Sequence, residues 1–464
     1  MKNKTYSAVR SGILNCTPDG VKCKLYCKGK NCKYCNSNDW SENETAIKGI
    51  YSNWITKKIL GMARPTEKAI KKFNIIEQFK SNNIRTIVNL QIINEHSHCG
   101  PMLHQSGFTY DPEQFMKSGI YYYNFPIPDY EICAIKFIRS IMKVIHFSLS
   151  EGNVAIHCHA GLGRTGTIIA AYFIWHDKLN YDKAIEIVRQ NRPRSIQSKM
   201  QVEFLKIFDN YCHKYGVLLP KIKKKSFSWL IENQKLSLPT PQCHQYGHIL
   251  KSVHEICKRL LKEIFKTNYT FKKVDNGICY CIIGKLKVNW FPAFTVHGKS
   301  VIHYIVTLLE TIHLISDDSE TKEILKKAQK NNIITFDKDI YLYNIKELLI
   351  ILEAQMQLIE TPIAMKEELI SVFNCNGSMQ LNYIKTHDSN NSWICFVQYL
   401  CQVFSVIMGE YYDNFVKILT RWLFGNEDED IKFVLFKYMR DLFASHLDDQ
   451  QRIKNINDGI ITEI

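Results

Sequence analysis

Residues 157–166 read HCHAGLGRTG, with Cys158 and Arg164 separated by five residues. A cysteine thiolate is a strong nucleophile. A guanidinium is a planar fork that grips two oxygens of a phosphoryl group at once. An apolar run, NVAIHC, leads into this stretch, and the helix-like run TIIAAYFIWHDKL leaves it. The backbone between a strand end and a helix start must curl, and successive N–H groups in such a curl point inward as an anion-binding nest. The helix N-terminus adds its own donors and the positive end of its dipole. Gly161, Gly163 and Gly166 permit the tight curl. The candidate phosphate cradle is therefore His159, Ala160, Gly161, Leu162 and Gly163 through their backbone, with Arg164 through its side chain. Cys158 is the candidate nucleophile, and the nest, dipole and arginine all favour its thiolate. Thr165 can donate a hydroxyl hydrogen bond to that thiolate, and His157 can orient the loop. The chemistry is attack on a phosphate monoester, among the slowest biological linkages to hydrolyse unaided. It requires no metal, and no cofactor is expected.

A leaving-group acid is also needed, and a general acid typically contributes about 10²–10⁴-fold. Asp129, in YNFPIPDYEICAI, lies 29 residues before Cys158 in a proline-bounded loop. The same place suits a helix N-cap, because EICAI starts just after it. Both roles stay open on the residues alone. Asp111 is the nearest rival and falls early.

The elements that must position these groups alternate between strand and helix patterns. TEKAIKKFNIIEQFKSNN (66–83) has helical spacing with Thr66 as its cap. RTIVNLQ (85–91) and GIYYYNF (119–125) read as strands. EICAIKFIRSIMKVIHFSLSEG (131–152) predicts a long helix ending near Gly152, and helices follow from about 165, 181 and 197. This order predicts an α/β fold, a central mostly parallel sheet flanked by helices.

The chain has 464 residues, 45% of them apolar, enough for several domains with proper cores. The reading divides it into a Cys-rich arm (1–45), a catalytic domain (46–215), a linker (216–245) with Pro220, Pro239, Pro241 and the run KIKKK, and a mostly α-helical domain (246–464). The most apolar stretch, 393–409, is short for a membrane span and reads as a buried helix. The net charge of +15 favours acidic partners without choosing among them. Sixteen cysteines without a visible secretory signal predict free thiols in a reducing compartment. Cys16, Cys23, Cys27, Cys32 and Cys35 crowd the N-terminus. Cys23, Cys27, Cys32 and Cys35 have the ligand types of a four-thiolate zinc site, but their spacing is short and irregular for a zinc ribbon, so reduced thiols are expected instead.

HCHAGLGRTG resembles the Cys-x5-Arg signature of the protein tyrosine and dual-specificity phosphatases. The resemblance extends over residues 40 to about 210. Through SENETAIKGIYSNWITKKILGMARPT, NEHSHCG and SGFTYDPEQFMKSGIYYYNF it sharpens toward the protein tyrosine phosphatase domain-containing protein 1 group. It implies a phosphocysteine mechanism with Asp129 as general acid and Gln197, in NRPRSIQSKMQVEFL, positioning the water that hydrolyses the intermediate; Gln201 lies four residues further on. It also implies a cytoplasmic phosphatase of phosphotyrosine and of phosphoserine or phosphothreonine proteins, with a link to centrosomes or cilia. No nucleic-acid partner is expected, and residues 246–464 are a candidate site for a partner protein. His159 and Leu162 stand where lipid phosphatases of the tumour-suppressor type carry lysines, which argues against a phosphoinositide substrate. The competing readings are a phosphoinositide phosphatase and a phosphoprotein-binding scaffold with weak catalysis. Cys99 and Cys133 are candidate resolving thiols for an oxidised Cys158.

Overall fold

Five strands build the sheet that carries the Cys158 loop, in the order β1-β2-β5-β3-β4. The computed structural model describes residues 21, 28–36, 40–129, 133–247, 249–265, 271–273, 280–282, 296–312, 318–360, 391–405, 411–424 and 429–440. Cys16, Cys23 and Cys27 lie outside the described residues. The chain divides into two units, Met1–His213 and Lys214–Ile464.

In the first unit β1 (Ser52–Trp54) pairs antiparallel with β2 (Ile59–Met62). Then follow α1 (Glu67–Lys72), α2 (Ile75–Ser81), β3 (Ile84–Asn89), α3 (Glu113–Met116), β4 (Tyr121–Asn124), α4 (Ile135–Glu151), β5 (Asn153–His157), α5 (Gly163–His176), α6 (Tyr181–Asn191) and α7 (Lys199–Tyr215). β2, β5, β3 and β4 run parallel. Their side chains are almost all buried on β2, β3 and β5, as expected where helices cover both faces of a parallel sheet. Leu60, Met62, Ile84, Ile87 and Ala155 meet Ile70, Ile75 and Phe79 of α1 and α2 in one core. Register sets the site. His157 pairs with Met62 on one side and Asn89 on the other, and Asn89 pairs with Asn124. Four parallel strands therefore end level, and the loop after central β5 emerges at their carboxyl edge, where open α/β sheets place their sites.

Two expected helices differ in detail. The 66–83 helix starts as read, with Thr66 Oγ1 accepting the Ala69 N–H, but it breaks into α1 and α2. Asn74 takes φ +50, a left-handed conformation that asparagine tolerates. The 131–152 helix begins at Ile135 and does end at Gly152.

The expected domain boundaries also change. Residues 29–36 and 40–45 pack into the first unit: Trp40 Nε1 donates to the Lys33 carbonyl, and the Trp40 and Tyr34 rings flank Tyr51. The stretch 216–245 is folded within the second unit, with helices Phe227–Ser237 and Thr240–Tyr246. Its prolines mark a helix start, since Pro239 is the N-cap and Pro241 sits in the first turn.

The second unit is mostly helical among its described residues. A single apolar cluster joins helices Lys251–Phe265, Ile345–Gln357, Asn391–Ser405 and Tyr412–Phe424. Asn391–Ser405 is the buried helix expected near 393–409, and no helix among the described residues is long and apolar enough to cross a membrane. One carboxylate organises this core. Glu353, 6% exposed, accepts from Trp422 Nε1 (2.6 Å) and Arg421 Nη2 (3.0 Å). Glu353→Ala strips both donors of this acceptor and is expected to destabilise the unit by about 3 kcal/mol, measured by denaturant unfolding of the full chain.

Candidate active site

Cys158 follows β5 and is 3% exposed, at the head of a loop that runs straight into α5. Gly161 has φ +68, and a Cβ there would sit 1.9 Å from the Met62 carbonyl oxygen. No other residue fits this turn against β2. Arg192, at the end of α6, fastens the loop from behind. Its Nε donates to the Gly161 carbonyl (2.5 Å) and Nη2 to the Ala160 carbonyl (3.1 Å), while the guanidinium lies 4.4 Å from the Tyr51 ring. With those carbonyls turned back toward Arg192, the loop is free to turn its N–H groups to the opposite side.

His157 is the last residue of the strand. A carbonyl only accepts, so Nδ1–H donates to the Cys158 carbonyl (3.1 Å) and Nε2 accepts from the Tyr110 hydroxyl (2.8 Å). Burial pushes this imidazole down to about 4, which keeps that tautomer neutral. Thr165 Oγ1 is buried and makes no hydrogen bond among the described residues, so its hydroxyl is available to an anion at the loop.

Arg164 is 2% exposed and clamped from one side. Glu95 accepts Nη1 on Oε2 and Nη2 on Oε1, each at 2.7 Å, and Nη1 also donates to the carbonyls of Ile127 (2.8 Å) and Leu90 (3.3 Å). Glu95 is itself held by the Ile92 N–H (2.9 Å) and Gln91 Nε2 (3.1 Å). Of the five guanidinium donors, Nε–H makes no geometric hydrogen bond and one Nη2 proton stays open. That edge is the fork a phosphoryl group needs. Burial raises the Glu95 carboxyl, but the Arg164 hydrogen bonds and charge outweigh it and hold it below its usual range.

Asp129 faces the same edge. Its Oδ1 lies 3.2 Å from Arg164 Nε, and its Oδ2 accepts from His96 Nε2 at 3.3 Å. Burial works to raise this carboxyl, but the Arg164 charge and the His96 hydrogen bond win and hold it well below the carboxylate range. Asp129 is not the cap of α4, which begins at Ile135 with Ala134 at its N-cap. Asp111 uses its carboxylate on the Glu113 N–H at the start of α3 (3.0 Å).

The 192–198 loop leans over the cradle. The Ile196 N–H donates to the Leu162 carbonyl (3.1 Å). Gln201 Oε1 accepts the N–H groups of Gln197 (2.8 Å) and Ser198 (3.3 Å), so Gln201 builds the loop. A Cβ on Gly163 would lie 3.3 Å from Gln197 Oε1, which sets that amide at the rim of the cradle.

The residues singled out by sequence thus converge: Cys158, Arg164, Asp129, Thr165 and Gln197 around one loop, His157 beneath it. Glu95, His96, Arg192 and Arg64 were not anticipated. A buried arginine demands an acidic partner, and Glu95 in the loop after β3 was the available one. Of the two candidate resolving thiols, Cys133 lines a small cavity with Arg164 and Gln201, while Cys99 lies against His159 and Cys32.

The parallel α/β sheet carries a Cys-x5-Arg loop at its carboxyl edge, and residues 60–178 match the family model described as polymorphic toxin system, DSP-PTPase phosphatase. Over this region the chain is similar to dual-specificity and tyrosine phosphatases. Among named relatives, the chain is 43% identical over 261 residues to protein tyrosine phosphatase domain-containing protein 1 of Bos taurus, covering 55% of this chain and 33% of that one. It is 32% identical over 128 residues to dual specificity protein phosphatase CDC14A of Mus musculus, covering 28% and 18%. The crystal structure of Tk-PTP in the active form aligns at 22% identity and TM-score 0.28, over 34% of this chain and 96% of that one. The chain spans about a third of the length of the bovine relative.

Proposed function

We propose that this domain hydrolyses phosphotyrosine, and phosphoserine or phosphothreonine, in protein substrates through a phosphocysteine intermediate. The observation that carries the reading is the half-saturated guanidinium: Glu95 fixes one edge of Arg164, while the other edge, with Nε 3.2 Å from Asp129 Oδ1, keeps donors that make no hydrogen bond among the described residues. The Cys158 thiolate attacks phosphorus while the open edge of Arg164 and the loop N–H groups hold the equatorial oxygens. The P–O bond to the substrate breaks as the P–S bond forms, and Asp129 gives its proton to the departing oxygen. Water placed by Gln197 then attacks phosphorus, gives its proton to Asp129 and releases phosphate and the thiolate.

Asp129 is ionised in the free site, yet the first step needs it protonated. A phosphoryl dianion at Arg164 offsets the charge that holds the carboxyl down, so the carboxyl takes up a proton as substrate binds. Asp129→Asn is expected to lower kcat on phosphoserine peptide by about 10²–10⁴-fold, and far less on para-nitrophenyl phosphate, whose leaving group needs little protonation. In wild type the acid form grows as pH falls, so kcat/KM on the peptide rises toward acid pH; the variant loses that slope. Equal losses on both substrates would remove Asp129 from the acid role.

The activity itself is tested with the full chain on para-nitrophenyl phosphate and on phosphotyrosine, phosphoserine and phosphothreonine peptides, with vanadate as competitor. Turnover blocked by vanadate supports the reading. Vanadate binding without turnover on any of them would favour a phosphoprotein-binding scaffold.

A further inference from the structure

Three elements far apart in sequence bring sulfur and nitrogen donors together beside the Cys158 loop. Cys32 and Cys35 form a tight turn of the arm, in which the Cys35 N–H donates to the Cys32 carbonyl (3.0 Å). Cys99 ends the loop after β3, and the next N–H, of Gly100, donates to the Gly29 carbonyl of the arm (3.0 Å). His159 follows the nucleophile directly. Its Nε2 lies 3.6 Å from Cys32 Sγ and 3.7 Å from Cys99 Sγ, all three residues are buried, and the three atoms lie within 4.8 Å of one another. Cys35 lies beside them, where a Cβ on Gly100 would meet its sulfur at 2.8 Å, but its sulfur falls outside the group formed by the other three.

We infer that Cys32, Cys99 and His159 bind one structural zinc ion that pins the N-terminal arm to the phosphate-binding loop, with Cys35, in the same turn as Cys32, as the fourth ligand it would draw in.

The geometry fits the metal. Bonds of 2.3 Å to sulfur and 2.0–2.1 Å to nitrogen at a tetrahedral angle separate S and N by about 3.6 Å. In a thiol–imidazole cluster an unprotonated Nε2 has a single lone pair and accepts from one S–H at a time. A zinc ion takes that lone pair and both thiolates together. Soft thiolates with one imidazole select zinc over magnesium or calcium, and four protein ligands make the closed site of a structural metal.

Charge balance points the same way. Arg64 is 2% exposed, donates to the Cys99 carbonyl and lies against Cys35. No carboxylate pairs with it among the described residues. Arg64 Nε and Nη1 are buried and make no hydrogen bond among the described residues, so its charge is met by fewer acceptors than that of Arg192. Zinc with three thiolates and one neutral imidazole carries one negative charge, and Arg64 neutralises it. Gly100 makes the room: it has φ +70, and a Cβ there would lie 2.8 Å from Cys35 Sγ.

The site reaches the catalytic loop through one ring. His159 stacks on His96 with centroids 4.0 Å apart and planes at 15°, and His96 hydrogen-bonds Asp129. The metal therefore positions the aspartate through two imidazoles, while the binding claim itself stands independently of the phosphatase reading.

The test is elemental analysis of the full chain, made without a histidine tag, in reducing buffer with zinc available. One zinc per chain is expected. Cobalt exchanged for zinc should show the charge-transfer absorption of tetrahedral thiolate ligation, a readout on wild type that needs no variant to fold. Cys99→Ser should lose the metal, and the Cys23→Ser/Cys27→Ser double variant should keep it. Wild type without zinc, whether its cysteines are free thiols or a Cys32–Cys35 disulfide, overturns the inference. So does full zinc in Cys99→Ser, or loss of zinc from the Cys23→Ser/Cys27→Ser protein.

Discussion

Cys158→Ser is expected to lower turnover of every phosphorylated substrate by about four orders of magnitude or more, while substrate and vanadate still bind. The reason lies in how little else changes. Serine is nearly isosteric, and the loop is shaped by Gly161 and fastened by Arg192, not by the thiol. The cradle N–H groups and the open edge of Arg164 remain to hold the phosphoryl group. What is lost is the sulfur nucleophile, since a serine hydroxyl stays protonated at neutral pH and attacks far more weakly than a thiolate. Steady-state rates on para-nitrophenyl phosphate, with isothermal titration of vanadate, read both halves. Activity retained within tenfold by a correctly folded variant would exclude a cysteine nucleophile.

Arg164→Lys is expected to lower kcat/KM by about 10³-fold, and to destabilise the first unit as well. An ammonium presents no planar fork, so it cannot hold two equatorial oxygens while also spanning Glu95 Oε1 and Oε2. Loss of one preorganised donor alone costs about 10²–10³ in kcat. The stability cost comes from Glu95 and Asp129, two carboxylates that both rest on this guanidinium and are left with a shorter reach and fewer donors from an ammonium. Combining Arg164→Lys with Glu95→Gln separates the effects. The double variant should regain stability, because a neutral amide needs fewer donors than the Glu95 carboxylate, and should not regain activity. Recovery of both would mean that Arg164 acts on the fold alone.

What could be read from sequence followed from how local each signal is. The Cys-x5-Arg loop is a continuous segment whose flanking strand and helix are also continuous, so its geometry was legible residue by residue. Thr66 as a helix cap and Gly152 as a helix end were legible for the same reason. Asn74, Pro239 and Pro241 were misread because a left-handed turn or a helix start looks like a helix interior or a linker until tertiary packing decides. Glu95 escaped notice because its partner is 69 residues away, and Arg192 because its work is done on backbone carbonyls, which carry no sequence mark. The cysteine cluster shows the limit most sharply. Spacing suggested ligands inside the arm, whereas the fold joins Cys32 to His159 across 127 residues and Cys99 to His159 across 60.

The central claim is that phosphate passes through Cys158. The most direct measurement is rapid acid quench of the full chain during turnover of a phosphotyrosine peptide, followed by peptide mapping and mass spectrometry, in wild type and in Gln197→Ala. The account predicts one phosphoryl group on the peptide carrying Cys158, with more trapped in Gln197→Ala because water is positioned less well for the second step. Turnover at an undiminished rate with no phosphoryl group on that peptide would contradict it.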